Sequence, residues 1–124
     1  MKIAVITIRI ILGLLFLFSS IAYFFNLMPP GEMSEGAQLF FSGMVASKYL
    51  LPVVKVIELL VGISLVTGKF VPLATVIIFP ITVNIVLFHA FLAPEGMIVP
   101  IVILLGNLFL AYRYRENYQT LVAA

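Results

Sequence analysis

The sequence contains no cysteine and no tryptophan, and it has a single histidine, His89. Without cysteine, disulfides, thiolate metal sites and iron–sulfur clusters are excluded, and one histidine excludes bis-histidine haem ligation within the chain. Charged residues are also scarce, at 10% of the 124 residues, whereas 64% are hydrophobic. Soluble domains contain about 25% charged residues. The composition therefore excludes a soluble globular domain and favours a membrane protein in contact with the lipid bilayer.

The few charged residues form no motif of a soluble binding or catalytic site. The net charge is +2, but the basic residues are spread along the chain and make no patch for phosphates, so nucleic-acid binding is excluded. The sequence also lacks an HExxH motif, a glycine-rich phosphate loop and a serine–histidine–aspartate set. We therefore predict no catalytic residue and no metal site, and we expect no enzymatic activity from the chain alone.

Four long apolar runs predict membrane-spanning helices. A bilayer crossing takes about 20 apolar residues, and the runs cover residues 3–28, 49–67, 70–92 and 97–112. Prolines and glycines at 28–32, 67–72 and 93–96 end them. The two short breaks make successive helices antiparallel. The prediction is one domain, residues 1–124, forming an all-α antiparallel four-helix bundle in the membrane.

The ends and connections of the spans indicate how the chain sits in the bilayer. Residues 1–28 are too long for a signal-peptide core and contain Arg9, so we expect them to remain as the first span. The mixed segment 29–48 predicts a short interfacial helix between the first two spans, with an ordered loop as the alternative. Basic residues cluster on the side of both termini, which places both termini in the cytoplasm by the positive-inside rule. They are Lys2, Arg9, Lys69, Arg113 and Arg115, against Lys48 on the other side.

Ionisable residues inside the spans are candidates for function, since charge at membrane depth is costly unless it is paired or hydrated. Glu58 falls near the middle of the second span, and Lys55 lies one turn away on the same face. Lys55 or Arg9 is expected to pair with Glu58. The pair could be a structural ion pair that fixes helix register, the polar floor of a ligand cavity, or part of a proton relay.

A cavity between the first three spans would bring five polar residues together. Tyr23 and His89 lie near the outer ends of their spans, Lys55 and Glu58 reach the middle, and Asn84 could donate a hydrogen bond to a carbonyl-bearing ligand. We predict that these five residues bind a quinone or another lipid-like small molecule, although the sequence establishes no cofactor. The alternative disperses them, with His89 among the headgroups and Asn84 bonded to the fourth span. In that span, Asn107 is predicted to hydrogen-bond between helices.

Several ordered motifs resemble the DoxX-like family of small four-helix proteins of the bacterial inner membrane. They are Arg9-x-x-x-Gly13, Pro52 with Glu58-x-x-x-Gly62, the turn at 67–72, Pro80 with the segment 83–92, and the end at 111–115. The resemblance covers essentially the whole chain. Many relatives carry a lysine where this chain has Tyr23, and a small or apolar residue where it has Lys55, which suggests that the cation has moved from the first helix to the second.

The resemblance implies a function connected with membrane oxidoreductases, because the family's namesake is a small subunit of a thiosulfate:quinone oxidoreductase. We therefore expect an accessory or ligand-binding subunit of a quinone-linked redox system, with other oxidoreductase subunits as partners. The alternative is a non-catalytic assembly or chaperone-like membrane protein whose buried ion pairs serve folding alone. Self-association into a homo-oligomer is compatible with either function.

Overall fold

The computed structural model describes residues 2–27 and 33–123, and the regular structure in these ranges is entirely helical. The α-helices are α1 (Lys2–Phe24), α2 (Glu35–Ala46), α3 (Leu50–Thr67), α4 (Val71–Leu92), α5 (Ile98–Arg113) and α6 (Gln119–Val122). Short 3-10 helices at Pro94–Gly96 and Arg115–Tyr118 precede α5 and α6. The prediction of an all-α membrane bundle is confirmed.

Three of the helices are long and apolar enough to cross a bilayer. By length and composition, α1, α3 and α4 can each cross a membrane. A fourth span is formed if α5 is counted together with the segment Arg115–Val122, from which it is bent by 75°. The predicted fourth span therefore corresponds to α5, the shortest of the four at 16 residues.

The first helix ends earlier than the sequence pattern predicts. The apolar run continues to residue 28, but α1 ends at Phe24. Asn26 has a φ of 53°, the left-handed conformation that closes many helices. The Leu27 amide then donates to the Ala22 carbonyl oxygen at 2.9 Å, which satisfies a carbonyl of the last turn. The break predicted at 28–32 lies outside the described residues.

The turn between α3 and α4 follows the predicted chemistry. Gly68 caps α3 with a φ of 80°, a conformation that glycine adopts without a steric penalty. Its amide donates to the Ser64 carbonyl oxygen at 2.9 Å. Pro72 lies in the first turn of α4, where a missing N–H leaves no helical hydrogen bond unmade. The tight turn makes α3 and α4 antiparallel neighbours.

The four long helices form a closed ring around one apolar core. In this ring α1 contacts α3, α3 contacts α4, α4 contacts α5, and α5 contacts α1. The core contains Leu12, Phe16, Leu65, Ile78 and Leu110, each no more than 2% exposed. Large apolar side chains cover the outer surface as well, which is the arrangement expected of a surface in contact with lipid. We call the end of the bundle with the start of α1 and Lys69 the basic end, and the opposite end the α2 end.

The helix predicted between the first two spans is present as α2. The Ser34 hydroxyl accepts a hydrogen bond from the Ala37 amide at 3.2 Å and so caps the start of the helix. The same hydroxyl donates to the Leu92 carbonyl oxygen at 2.7 Å, at the end of α4. The rings of Phe40 and Phe41 lie 5.1 and 5.2 Å from the ring of Phe88. Capping and aromatic packing thus fix α2 against α4.

Candidate functional site

Two glycines bring the backbones of α1 and α3 into contact. A Cβ on Gly62 would lie 3.0 Å from the Gly13 carbonyl oxygen and 2.8 Å from Leu17 Cγ. A Cβ on Gly13 would lie 2.7 Å from Val66 Cγ2. Small residues permit this close approach of helices in membranes. Since the helices are antiparallel, the pairing of Gly13 with Gly62 also sets the register of the residues around them.

That register places Ser19 of α1 beside Lys55 of α3. The Lys55 ammonium donates to the Ser19 hydroxyl at 2.8 Å, and Lys55 Nζ lies 3.1 Å from Glu58 Oε2. Lys55 and Glu58 are one turn apart on the same face of α3. The three side chains form a polar cluster between α1 and α3, which we call the Lys55 cluster (Ser19, Lys55 and Glu58).

The two charged side chains differ in their access to the surroundings. The Glu58 side chain is 4% exposed, whereas the Lys55 side chain is 18% exposed. Glu58 lies at the middle of α3, and Lys55 lies one turn closer to the α2 end. A carboxylate so deep in the hydrocarbon needs a charged or hydrogen-bonded partner. Lys55 provides that partner, and its side chain, like that of the half-buried Ser19, is partly exposed at the surface of the bundle.

Arg9, the other cation expected to pair with Glu58, lies at the basic end instead. A Cβ on Gly68 would be 3.1 Å from Arg9 Nη1, so the guanidinium lies at the C-terminus of α3. Gly68 is ten residues from Glu58, about 15 Å along a helix. A cation is favourable at a helix C-terminus because of the helix dipole. The buried Arg9 Nε has no hydrogen-bond partner within the described ranges.

A second buried polar cluster joins α4 to α5. The Thr82 hydroxyl donates to Asn107 Oδ1 at 2.8 Å, and Asn107 Nδ2 donates to the Thr75 carbonyl oxygen at 3.2 Å. Asn107 therefore bonds between helices as predicted. Nearby, the Tyr118 hydroxyl donates to the Pro72 carbonyl oxygen at 2.7 Å, and burial raises the pKa of the Tyr118 hydroxyl above its ordinary value. These groups are satisfied by one another, so we assign them to helix packing.

Three of the five residues predicted to form the ligand pocket make no hydrogen bond or ion pair with the Lys55 cluster within the described residues. Tyr23 is half-buried near the end of α1, with its ring 5.2 Å from that of Phe24. Asn84 is on the exposed face of α4. His89 Nδ1 lies 2.9 Å from the Ile85 carbonyl oxygen of its own helix. Of the five predicted residues, Lys55 and Glu58 are thus seen in contact with each other. Binding of a ligand by the five residues remains a prediction.

Ser19 is the functional candidate that the sequence pattern missed. The neighbouring Ser20 is fully buried, but it donates to the Phe16 carbonyl oxygen of its own helix. The sequence feature that could have identified Ser19 is the pair of glycines, Gly13 and Gly62. Ser19 lies six residues after Gly13, and Lys55 lies seven residues before Gly62. Because the two helices are antiparallel and touch at the glycines, Ser19 and Lys55 lie at the same depth.

The ring of apolar helices and the Lys55 cluster between α1 and α3 define a small multi-span membrane protein with ionisable groups at mid-depth. Within the described residues, no three histidine, acidic or cysteine side chains come together to hold a metal ion. The DoxX family model matches residues 4–90. The chain therefore belongs to the DoxX family. Searches of curated proteins and of solved structures find no match.

Proposed function

We propose that the protein is an accessory, ligand-binding subunit of a quinone-linked redox system in the membrane. The observation that carries the proposal is the partial exposure of Lys55 at mid-depth, beside a Glu58 that is buried. An ion pair that served folding alone would gain nothing from leaving its cation accessible, because exposure to hydrocarbon costs free energy. A partly exposed lysine side chain is instead suited to a lipid-soluble molecule with a hydrogen-bond acceptor.

The donors of Lys55 support this interpretation. A lysine ammonium has three N–H donors. One is directed to Ser19 and one to Glu58, which leaves the third for a ligand. A quinone headgroup fits, because its carbonyl oxygens accept hydrogen bonds and its isoprenoid tail partitions into the bilayer. When bound, a quinone would supply two-electron chemistry to an oxidoreductase, and Lys55 would hold its carbonyl oxygen.

The location we propose is the bacterial inner membrane, with both termini in the cytoplasm. The distribution of basic residues supports this orientation, since Lys2, Lys69 and Arg113 lie at the basic end and Lys48 at the α2 end. The partners we propose are other subunits of a membrane oxidoreductase. We expect electrons to reach the quinone through such a subunit, because this chain has no cysteine and only one histidine as ligands for a metal redox centre.

Quinone binding to detergent-solubilised protein tests the proposal. The chain has five tyrosines and no tryptophan, so a short-chain ubiquinone can be titrated by its quenching of tyrosine fluorescence. We expect saturable binding by the parent protein and at least about tenfold weaker binding by Lys55→Met, since a hydrogen bond from a charged donor is worth roughly 1.5–3 kcal/mol. Lys69→Met removes an exposed lysine at the basic end and should bind like the parent.

Circular dichroism of each variant separates loss of binding from loss of folding. A folded Lys55→Met protein that binds the quinone as tightly as the parent would show that Lys55 does not hold the ligand. If the folded parent binds no quinone, the ligand-binding function is wrong. Such a result would favour the assembly or chaperone-like alternative, in which the Lys55 cluster stabilises the fold.

A further inference from the structure

The exposed side of α4 carries one polar side chain in the middle of the bilayer. Asn84 is exposed and lies about 4 Å along the axis from the middle of α4, at 1.5 Å per residue. The hydrocarbon core of a bilayer is about 30 Å thick, so the short amide cannot reach the headgroups. Within the described residues it has no hydrogen-bond partner. An amide left in this state in hydrocarbon is unfavourable.

The residues around Asn84 form an otherwise apolar surface. Positions three and four apart on α4 place Ile77, Pro80, Leu87 and Phe91 on the same exposed side, and we call these with Asn84 the Asn84 face. Pro80 has no N–H, so the carbonyl one turn before it, that of Val76, loses its helical donor. Val76 is 46% exposed. The exposed side of α4 thus combines the Asn84 amide with a backbone acceptor eight residues, or about 2.2 turns, before it.

We propose that the Asn84 face binds a second copy of this chain. Both copies cross the membrane in the same orientation, so a two-fold axis along the membrane normal brings Asn84 of each copy to the same depth. An amide carries both donors and acceptors, and two amides facing each other across such an axis satisfy one another with two N–H···O bonds. A different protein would need its own polar group at this depth, whereas a second copy supplies one by symmetry.

A groove beside the Asn84 face gives the second copy a place to pack. It lies between α3 and α4, has a volume of about 320 Å³, and is lined by apolar side chains that include Leu60, Leu73 and Ile77. Ile77 belongs to both the groove and the Asn84 face, so the two surfaces are continuous. Apolar side chains of the second copy that enter the groove would add van der Waals contact, which together with hydrogen bonds drives helix association in membranes.

Cysteine cross-linking in native membranes tests the dimer, because the parent chain has no cysteine. Leu87→Cys places a thiol on the Asn84 face, where Leu87 is 49% exposed, and Leu105→Cys places one on α5 at a position that is 61% exposed. Under mild oxidation we expect a disulfide-linked dimer from Leu87→Cys and little from Leu105→Cys. Equal cross-linking at the two positions would indicate random collision and would overturn the proposal.

The role of the amide is tested by adding Asn84→Leu to the Leu87→Cys protein. Because the Asn84 side chain contacts lipid or the second copy and not the core, the variant should fold. We expect dimerisation to weaken about tenfold, which corresponds to 1.4 kcal/mol for the two amide bonds. The readout is the initial rate of cross-linking at equal protein-to-lipid ratio. An unchanged rate in the folded variant would show that Asn84 does not hold the dimer.

Discussion

At the residue scale, Glu58 and Lys55 depend on each other to different degrees. Glu58 is 3% exposed, and its charged contact within the described part of the chain is Lys55. Lys55 also bonds to Ser19 and keeps 18% of its side chain exposed. A buried charge that loses its partner is destabilising, whereas replacement of both members by neutral groups can be nearly without effect. The two single substitutions are therefore not equivalent.

We expect Lys55→Met to destabilise the protein more than Glu58→Gln does. Removal of the lysine leaves the carboxylate buried and unpaired, with a cost of about 3–5 kcal/mol, whereas removal of the carboxylate leaves Lys55 with Ser19. The double variant Lys55→Met/Glu58→Gln should recover much of the loss. Thermal melting in detergent measures this order, with Lys69→Met as the control. Equal melting temperatures for Lys55→Met and the parent would indicate that Glu58 carries no charge.

At the scale of the helices, the contact between α1 and α3 determines where the charged cluster forms. Gly13 and Gly62 allow the backbones to touch, and the residues on either side follow from that register. Arg9 at one end of the contact and Ser19 near the other lie against different parts of α3. Any side chain that separates the helices at the glycines should thus disturb packing over the length of the pair.

Gly62→Ala tests this contact. The added methyl group would lie 2.8 Å from Leu17 Cγ and 3.0 Å from the Gly13 carbonyl oxygen, and such overpacking costs about 1–3 kcal/mol. Gly43→Ala is the matched control, because a Cβ there meets nothing within 4 Å and alanine favours a helix by about 0.5–1 kcal/mol. We expect the melting temperature to fall for Gly62→Ala and to stay equal or rise for Gly43→Ala. The opposite order would exclude a tight contact at Gly62.

At the scale of the whole molecule, the fold class could be predicted from the sequence, whereas the arrangement of the candidate site could not. Bilayer thickness fixes the length of an apolar run, so α3, α4 and α5 begin and end within two residues of the predicted bounds. The end of α1 was missed because hydropathy does not report the left-handed Asn26. The position of Asn84 could not be predicted from periodicity, since any face of a helix can be turned to a neighbour in a bundle whose helices are apolar all round.

The orientation of the whole bundle is checked with reporter fusions. Lys2, Lys69 and Arg113 lie at the basic end, so we expect the C-terminus to be cytoplasmic. A reporter that is active only in the cytoplasm should therefore be active when it is fused after Ala124. The same reporter should be inactive when it is inserted within α2, because the α2 end is expected to face outward. A C-terminal fusion that reports an external position would reverse the orientation and place the α2 end in the cytoplasm.

The Ser34 hydroxyl has a consequence for local opening of the protein. One oxygen atom both caps α2, through the Ala37 amide, and bonds to the Leu92 carbonyl oxygen at the end of α4. We expect segments joined in this way to open together as one cooperative unit. We therefore expect the Ala37 amide hydrogen and those of the last turn of α4 to show similar protection from deuterium exchange, although 58 positions separate Ser34 from Leu92 in the sequence.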